Sequence, residues 1–403
     1  MARMTIERLG HRGDGVGPLG FAAFALPDET VEGAVEGDRF TVGRVVAPSP
    51  DRRSPACVHF GACGGCALQH AADPFLATWK AGLVAAALAA RGLEAALRPI
   101  AVSPPGARRR VTLAGRRTKK TVLLGFHGRG AGDVIPITQC PVAHPAVVAA
   151  LPALADLVGL VASRKGEARV TATVSRDGLD VAAEGGRPLD ARLVERLAAL
   201  ADAADWARLS LGGEPVATRR PPRQAFGRAL VAPPPGGFLQ ATEDGEAALV
   251  AAVREAVGDA RRVADLFAGS GTFALPLAER AAVHGVEGDA AALAALDAGW
   301  RGATGLRAVT TEARDLFRRP MSAAELAPFD AVVIDPPRAG AAAQAAALAQ
   351  SRVARVAMVS CNPATFARDA RLLVDGGFRL LWAQPVDQFR WSPHVEVAAA
   401  FAR

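Results

Sequence analysis

The sequence predicts a multidomain α/β protein: a small N-terminal OB-like β-barrel, a central α+β segment, and a C-terminal doubly wound, Rossmann-like domain. Three observations carry this prediction. Residues 1 to about 50 are short strand-like runs broken by glycine-rich turns, residues beyond about 240 alternate apolar strands with helical stretches, and 403 residues exceed one ordinary core.

The N-terminal runs are MTIERLG, HRGDGVGPLG, FAAFAL, PDETVEGAVEGD and RFTVGRVV, a pattern that suits an antiparallel barrel over residues 1–53. The linker APSPDRRSP follows, marked by proline, serine and charge. A helix is then expected in DPFLATWKAGLVAAALAARGL, with Asp73 as N-cap before Pro74 and Gly92 as the stop. This helix, 73–92, lies in the central segment, 54–235, yet is a candidate to pack on the third domain. Between Arg108 and Arg129 a β-hairpin is expected, bearing eight Arg and Lys and no acid. Such like charge reads either as a solvated face or as a phosphate contact, and the second reading is preferred.

The apolar stretch from Pro145 to Ala162 is interrupted by Pro152 and Asp156, so a core helix or two is expected there rather than a membrane span. Residues 160–215 read as mixed α/β with no interpretable motif. A basic stretch, RRPPRQAFGR, and the proline-rich VAPPPGGF then mark the boundary to the third domain, 236–403. There RRVADLFAGS, AAVHGVEGD, LRAVTTEARD, FDAVVIDPP, VARVAMVSC, FRLLWAQPVDQF and HVEVAAAFAR read as strands of a mostly parallel sheet.

A net charge of +7 and a pI near 9.8 suggest a polyanionic partner. The N-terminus is charged where a signal peptide needs an apolar run, so a cytoplasmic protein is expected. In that compartment five cysteines point to metal or catalytic use rather than disulfides.

Four motifs carry chemistry. In DLFAGSGTFALPLAER a strand ends at Asp265–Phe267, Gly269 and Gly271 form a turn, and a helix is expected near Thr272; glycine lets the backbone approach a ligand closely. Eighteen residues past Gly269, at the end of the next strand, Glu287 is placed to accept hydrogen bonds from ribose hydroxyls. The pair specifies a nucleoside-bearing cofactor, with NAD still a competitor on this motif alone. FDAVVIDPPRAG puts Asp335 at a strand's carboxyl end, stiffened by two prolines and aimed into the crevice. In VAMVSCNPATFARD, Cys361 ends a strand of the same sheet, where a thiolate would face the cofactor.

The fourth motif is Cys57, Cys63 and Cys66 in ACVHFGACGGCALQ, joined by Cys140 in ITQCPVAHP seventy-four positions beyond Cys66. Four thiolates suit either zinc or an iron-sulfur cluster. Cys361 is then the one cysteine left over, as a separate chemical task would require.

These motifs, in this order, resemble the iron-sulfur branch of the S-adenosylmethionine-dependent RNA uracil-5-methyltransferases, which acts mainly on 23S ribosomal RNA. The resemblance spans ERLGHRGDGVG, HFGACGGCALQH, GGFLQATEDGE, DLFAGSGTF, DPPRAG, VSCNPATFARD and the terminal HVE. It implies an N-terminal barrel of TRAM type, a central iron-sulfur and RNA-binding domain, and a class I methyltransferase domain. It implies a [4Fe-4S] cluster on Cys57, Cys63, Cys66 and Cys140, with zinc the alternative. It also implies methyl-donor contacts by Gln240, Phe267, Gly269, Gly271, Thr272, Glu287, Asp315 and Asp335. Thr272 stands where the family more often has Asn, and DQFRWSPHVE departs from the more usual F-P-x-T-x-HVE.

By the same resemblance Cys361 is the nucleophile that adds to carbon 6 of uracil, and Glu396 is the base that later removes the proton from carbon 5. The target nucleotide must be unstacked, so single-stranded RNA is the cheaper substrate. The expected reaction is methylation of a specific 23S rRNA uridine to 5-methyluridine. The same chemistry on tRNA, methylation of an exocyclic amine, and an inactive RNA-binding module are the alternatives. No membrane association and no obligate protein partner are expected.

Overall fold

Apolar runs mark the strands, continuous where both faces are buried and alternating with polar residues where one face meets solvent. The computed structural model, which describes residues 1–130 and 132–403, arranges them in three sheets and one two-stranded ribbon. The N-terminal sheet has six strands, Ala2–Thr5, Arg8–Leu9, Gly15–Gly17, Gly20–Ala22, Thr30–Glu36 and Arg39–Ala47. Its pairings are antiparallel except that Gly20–Ala22 runs parallel to Arg39–Ala47. Met4, Ile6, Val31 and Phe40 form its small core.

A seven-stranded sheet fills the centre of the chain, with Arg110–Arg117 between Val122–His127 and Glu167–Ser175. Residues 145–162 become two short helices, Pro145–Ala149 and Leu151–Val161, broken before Pro152. They bury Leu154, Leu157, Val158 and Val161 against this sheet, as expected of core helices. Among the described residues no helix is long and apolar enough to cross a membrane.

The basic hairpin is present, with Val122 paired to Arg117, but its charge is not uncompensated. Arg109 is buried and donates to Glu246 at 2.5 Å and to the Gln240 carbonyl at 3.1 Å. Arg110 donates to the carbonyls of Gly236 and Gly237, Arg116 pairs with Glu167, and Arg129 pairs with Asp14. Acids distant in sequence, Glu246, Glu167 and Asp14, compensate part of the charge that looks uncompensated in the local sequence. Arg117, Lys119 and Lys120 are the exposed cations at its tip.

The third sheet is ordered Val309–Ala313, Ala282–Glu287, Arg262–Leu266, Ala331–Ile334, Arg355–Ser360, Glu396–Ala402, Arg379–Asp387. The first five run parallel, Glu396–Ala402 is inserted antiparallel, and all seven expected strands are found. Apolar cores lie on both faces. Order reverses between Arg262–Leu266 and Ala331–Ile334, which opens a crevice beyond their carboxyl ends.

The helix expected at 73–92 runs from Asp73 to Ala89. Ala72, not Asp73, is its N-cap, because Asp73 is already helical and its carboxylate pairs with Arg390. Gly92 follows with φ of +63°. Val84, Leu88 and Leu93 sit in a core of the third sheet, and Ala96–Leu97 and Ala101–Val102 pair with Arg379–Asp387. Residues 73–102 therefore belong spatially with that sheet although they precede the central one.

Candidate active site

At the switch point, Arg262–Leu266 delivers Phe267 in the left-handed region, φ +65°, with its N–H and that of Ala268 donating to the Val286 carbonyl. Gly269 at φ +53° has nothing within 4 Å of where a Cβ would stand, so its outer side is open. Gly271 at φ +99° is different: a Cβ there would lie 2.8 Å from Leu275 Cδ1. The turn extends to Phe273 before a short helix, Ala274–Leu277, so the helix starts later than Thr272. Thr272 is half-buried within the turn.

Glu287 lies against this turn. One carboxylate oxygen accepts the Gly269 N–H at 3.0 Å, and the other accepts those of Gly288 and Asp289. Asp315 is exposed beyond the next strand, where it accepts the Phe317 and Arg318 N–H groups. The Phe317 ring is 5.4 Å from that of Phe267.

The sheet register brings Cys361 and Glu396 together. Ser360 is the partner of Val397 across the antiparallel pair, so the next residues outward, Cys361 and Glu396, face one another at the strand tips. Parallel pairing of Ile334 with Met358 sets Asp335 on the other side of the cysteine strand. The two turns are tied together: Asn362 Nδ2 and Thr365 Oγ1 both donate to the Arg338 carbonyl, while Asn362 caps the helix Pro363–Asp375.

Burial dominates the electrostatics. It pushes Glu396, 4% exposed, up to about 8, helped by Asp335, with the Gln388 amide opposing. Asp335 keeps some accessible surface at its strand tip but is otherwise enclosed, and loss of water pushes its carboxyl up to about 7. Burial, then the charges of Glu396 and Asp335, push the half-buried Cys361 thiol up to about 11. Asp265 is fully buried with no well-formed hydrogen bond to either oxygen, and burial with Asp335 nearby holds it well above the carboxylate range. This crevice gathers Asp265, Asp335, Glu287 and Glu396, with the Arg338 guanidinium acting against them on Cys361; the excess of acid is the electrostatic complement of a positively charged ligand.

Gln240 is buried and accepts from Gln388 Nε2 at 2.6 Å. Gln388 Oε1 in turn accepts the Thr242 N–H at 3.3 Å. Gln388 therefore links the GGFLQ segment to the approach to Glu396. Sequence reasoning missed Gln388 and Asp265 as site residues; the available signals were an amide eight positions before Glu396 and an acid inside an apolar strand.

Cys57, Cys63, Cys66 and Cys140 line one cavity of about 280 Å³, together with Arg108, Phe126 and Gln69. Glycines let the loop fold around it: a Cβ on Gly64 would lie 2.7 Å from the His127 carbonyl oxygen. The Gly65 N–H donates to Cys63 Sγ at 3.4 Å. Burial pushes the Cys66 thiol up to about 11 and raises Cys63 as well. The thiols share a cavity without converging on a point: among the described residues no group of three or more His, Cys, Asp or Glu is set to hold a metal ion.

The family model for tRNA (Uracil-5-)-methyltransferases matches residues 303–403. Over its full length the chain is 48% identical to an RNA methyltransferase of Caulobacter vibrioides, covering all of that protein. It is 36% identical to the 23S rRNA (uracil(1939)-C(5))-methyltransferase RlmD of Chromohalobacter salexigens, across 98% of this chain and 87% of that protein.

The chain belongs to the RNA uracil-5-methyltransferase family.

An RNA methyltransferase of Brucella suis, 46% identical across the whole chain, agrees with this. The tRNA (uracil-54, C5)-methyltransferase of Pyrococcus abyssi, solved with S-adenosyl-L-homocysteine, shares the fold with a TM-score of 0.77 at 22% identity over all of both chains. As a member of this family the chain is an RNA uracil-5-methyltransferase, and RNA is its substrate. An NAD-dependent role for its glycine turn is thereby set aside.

Proposed function

We propose that the enzyme methylates carbon 5 of a uridine in 23S ribosomal RNA, with Cys361 as nucleophile and Glu396 as base. The observation that carries this reading is the register that sets these two side chains opposite one another beside Asp335. The likeness to a 23S rRNA enzyme along nearly the whole chain supports the substrate.

In this reading the Cys361 thiolate adds to carbon 6, and the ring's double-bond electrons move onto the carbonyl oxygen as an enolate. Carbon 5 then attacks the sulfonium methyl; that carbon–sulfur bond breaks and the donor leaves as a neutral thioether. Glu396 removes the proton from carbon 5, the ring double bond re-forms, and the thiolate is expelled. A cationic donor beside Asp335, Asp265 and Glu396 favours their ionised forms and that of Cys361, so donor binding prepares the base and the nucleophile together. Gln240, Phe267, Gly269, Gly271, Thr272, Glu287, Asp315 and Asp335 are the proposed donor contacts. The open side of Gly269 gives the donor room.

The four cavity cysteines fit a thiolate-held centre by the chemistry of their donor set. Four thiolates suit either zinc or an iron-sulfur cluster, and the choice of a [4Fe-4S] cluster rests on the family resemblance of the cysteine motif. An anaerobic preparation is expected to be brown with broad visible absorption, and a colourless zinc-loaded one would contradict this. The proposed units are the barrel of TRAM type, 1–53, the cysteine and RNA-binding domain, 54–235, and the methyltransferase domain, 236–403, with the helix of 73–92 packed on the last. A ribosomal substrate places the enzyme in the cytoplasm.

The test is product analysis. Unmodified 23S rRNA incubated with enzyme and donor should yield 5-methyluridine, and Cys361→Ala should yield none. Methylation confined to tRNA would transfer the chemistry to that substrate, and full activity of Cys361→Ala would favour exocyclic-amine methylation instead.

A further inference from the structure

The segment 387–395, which delivers Glu396 to the site, is fastened almost entirely from outside its own sheet. Lys80, on the helix Asp73–Ala89, is 0% exposed, and its Nζ lies 2.6 Å from Asp387 Oδ1 and 3.0 Å from the Phe389 carbonyl oxygen. Asp387 Oδ1 also accepts the Phe389 N–H at 3.0 Å, so the ammonium closes a small ring around the start of the segment. Asp73, on the same helix, pairs with Arg390. The N–H groups of Ala67 and Leu68 both donate to the Trp391 carbonyl, at 2.9 and 3.0 Å. Trp391 itself is held in the left-handed region, φ +58°, with its ring buried among Leu9, Leu68 and Leu76. A β-branch-free but bulky residue keeps that conformation only where its surroundings fix it.

A fully buried ammonium with a single carboxylate is a poor way to stabilise a fold, because desolvation offsets most of the attraction. Its two acceptors both belong to the segment that ends in the base. We infer that Lys80 is a positioning residue of the methylation reaction, fixing residues 387–395 so that Glu396 stands opposite Cys361. The inference rests on the roles proposed above for those two residues. Lys80 touches neither RNA nor donor; it acts through the geometry of Glu396.

The consequence is selective. Addition of Cys361 and methyl transfer do not require Glu396, whereas removal of the proton from carbon 5 does. Lys80→Met should therefore complete a first methyl transfer and then stall, with the covalent Cys361–RNA adduct accumulating. Multiple turnover should fall ~10- to 100-fold, the size expected of a small misplacement of a reacting group. Lys80→Met leaves Asp387 buried without its partner, so Lys80→Met/Asp387→Leu, which removes both charges, is measured beside it.

The experiment incubates wild type, Glu396→Gln, Lys80→Met and the double variant with in vitro transcribed 23S rRNA and methyl-labelled S-adenosylmethionine. Labelled adduct is read on denaturing gels, together with first-turnover and steady-state methylation and donor affinity. Adduct in the folded Lys80 variants, with donor affinity unchanged, is the expected result. Steady-state rates within twofold of wild type and no adduct would overturn the assignment, as would failure of both variants to fold, which would make Lys80 a folding residue. Should Glu396→Gln form no adduct either, the fault lies with the roles of Cys361 and Glu396 and not with Lys80 alone.

Discussion

The ionisation of Glu396 and Cys361 links geometry to rate. Glu396 is pushed from 4.5 to about 8 by burial. Between those values the folded protein keeps a proton that the unfolded chain has released, so its stability falls as pH rises from about 4.5 towards 8 and then levels. Glu396→Gln removes this contribution: thermal denaturation should show it more stable than wild type at pH 8, by several degrees, and little changed at pH 5. No difference between the two pH values would contradict the burial argument. Cys361, pushed up to about 11, should be alkylated slowly at pH 7, with the rate rising about tenfold per pH unit to beyond pH 9. Peptide mass analysis after iodoacetamide treatment of the free enzyme reads this directly. Cys361, Asp335 and Glu287 were legible as candidates because each sits within a few residues of the turn or strand end that displays it, whereas Glu396 was singled out only by the family resemblance of the terminal HVE. Gln388 and Lys80 were not. Their partners stand 148 and 309 positions away, and no local pattern encodes such a contact.

Elements were legible where periodicity was strong and misread where the tertiary structure chose between acceptable local options. The strands of the third sheet were evident mostly from apolar runs such as VADL, AVVI and VAMVS that end near glycine, aspartate or cysteine. The hairpin was evident too, but its charges were not read correctly, because Glu246, Glu167 and Asp14 reach it from elsewhere in the chain. Asp73 looked like a cap and became an ion-pair partner for the same reason. Within the glycine turn, two residues that look alike in sequence have different surroundings. Gly271→Ala forces a Cβ against Leu275 at φ +99° and should cost about 1–3 kcal/mol of stability by chemical denaturation. Gly269→Ala has open space, so stability should change less, while its methyl group would enter the volume proposed for the donor. Calorimetric titration with S-adenosylmethionine should show weaker binding for Gly269→Ala. Equal effects of the two changes on stability, with donor affinity intact, would refute the division.

At the scale of the whole molecule, the domains expected from linear order are interleaved. Residues 73–102 lie on the third sheet, and the Cys66–Leu68 stretch holds the segment that ends in Glu396. The helix of 73–92 was expected on the third domain, whereas the hold of Ala67 and Leu68 on Trp391 was not legible, because it is set by long-range packing that includes the small core joining Leu9, Leu68 and Trp391. The basic charge divides likewise into structural and available parts. Arg109→Ala strands Glu246 in the interior and should destabilise the enzyme by about 3–5 kcal/mol. Neutralising Arg117, Lys119 and Lys120 together should leave stability unchanged, weaken RNA binding, and reduce the salt dependence of affinity by about one unit of slope per lost phosphate contact. Unchanged RNA affinity at low salt would remove the hairpin tip from the interface. The most direct test of the whole account is the adduct formed by Glu396→Gln on unmodified 23S rRNA in the presence of S-adenosylmethionine. Digestion and mass spectrometry should find one 5-methylated uridine bonded through carbon 6 to Cys361; a variant that turns over freely, or an adduct on any other residue, would contradict it.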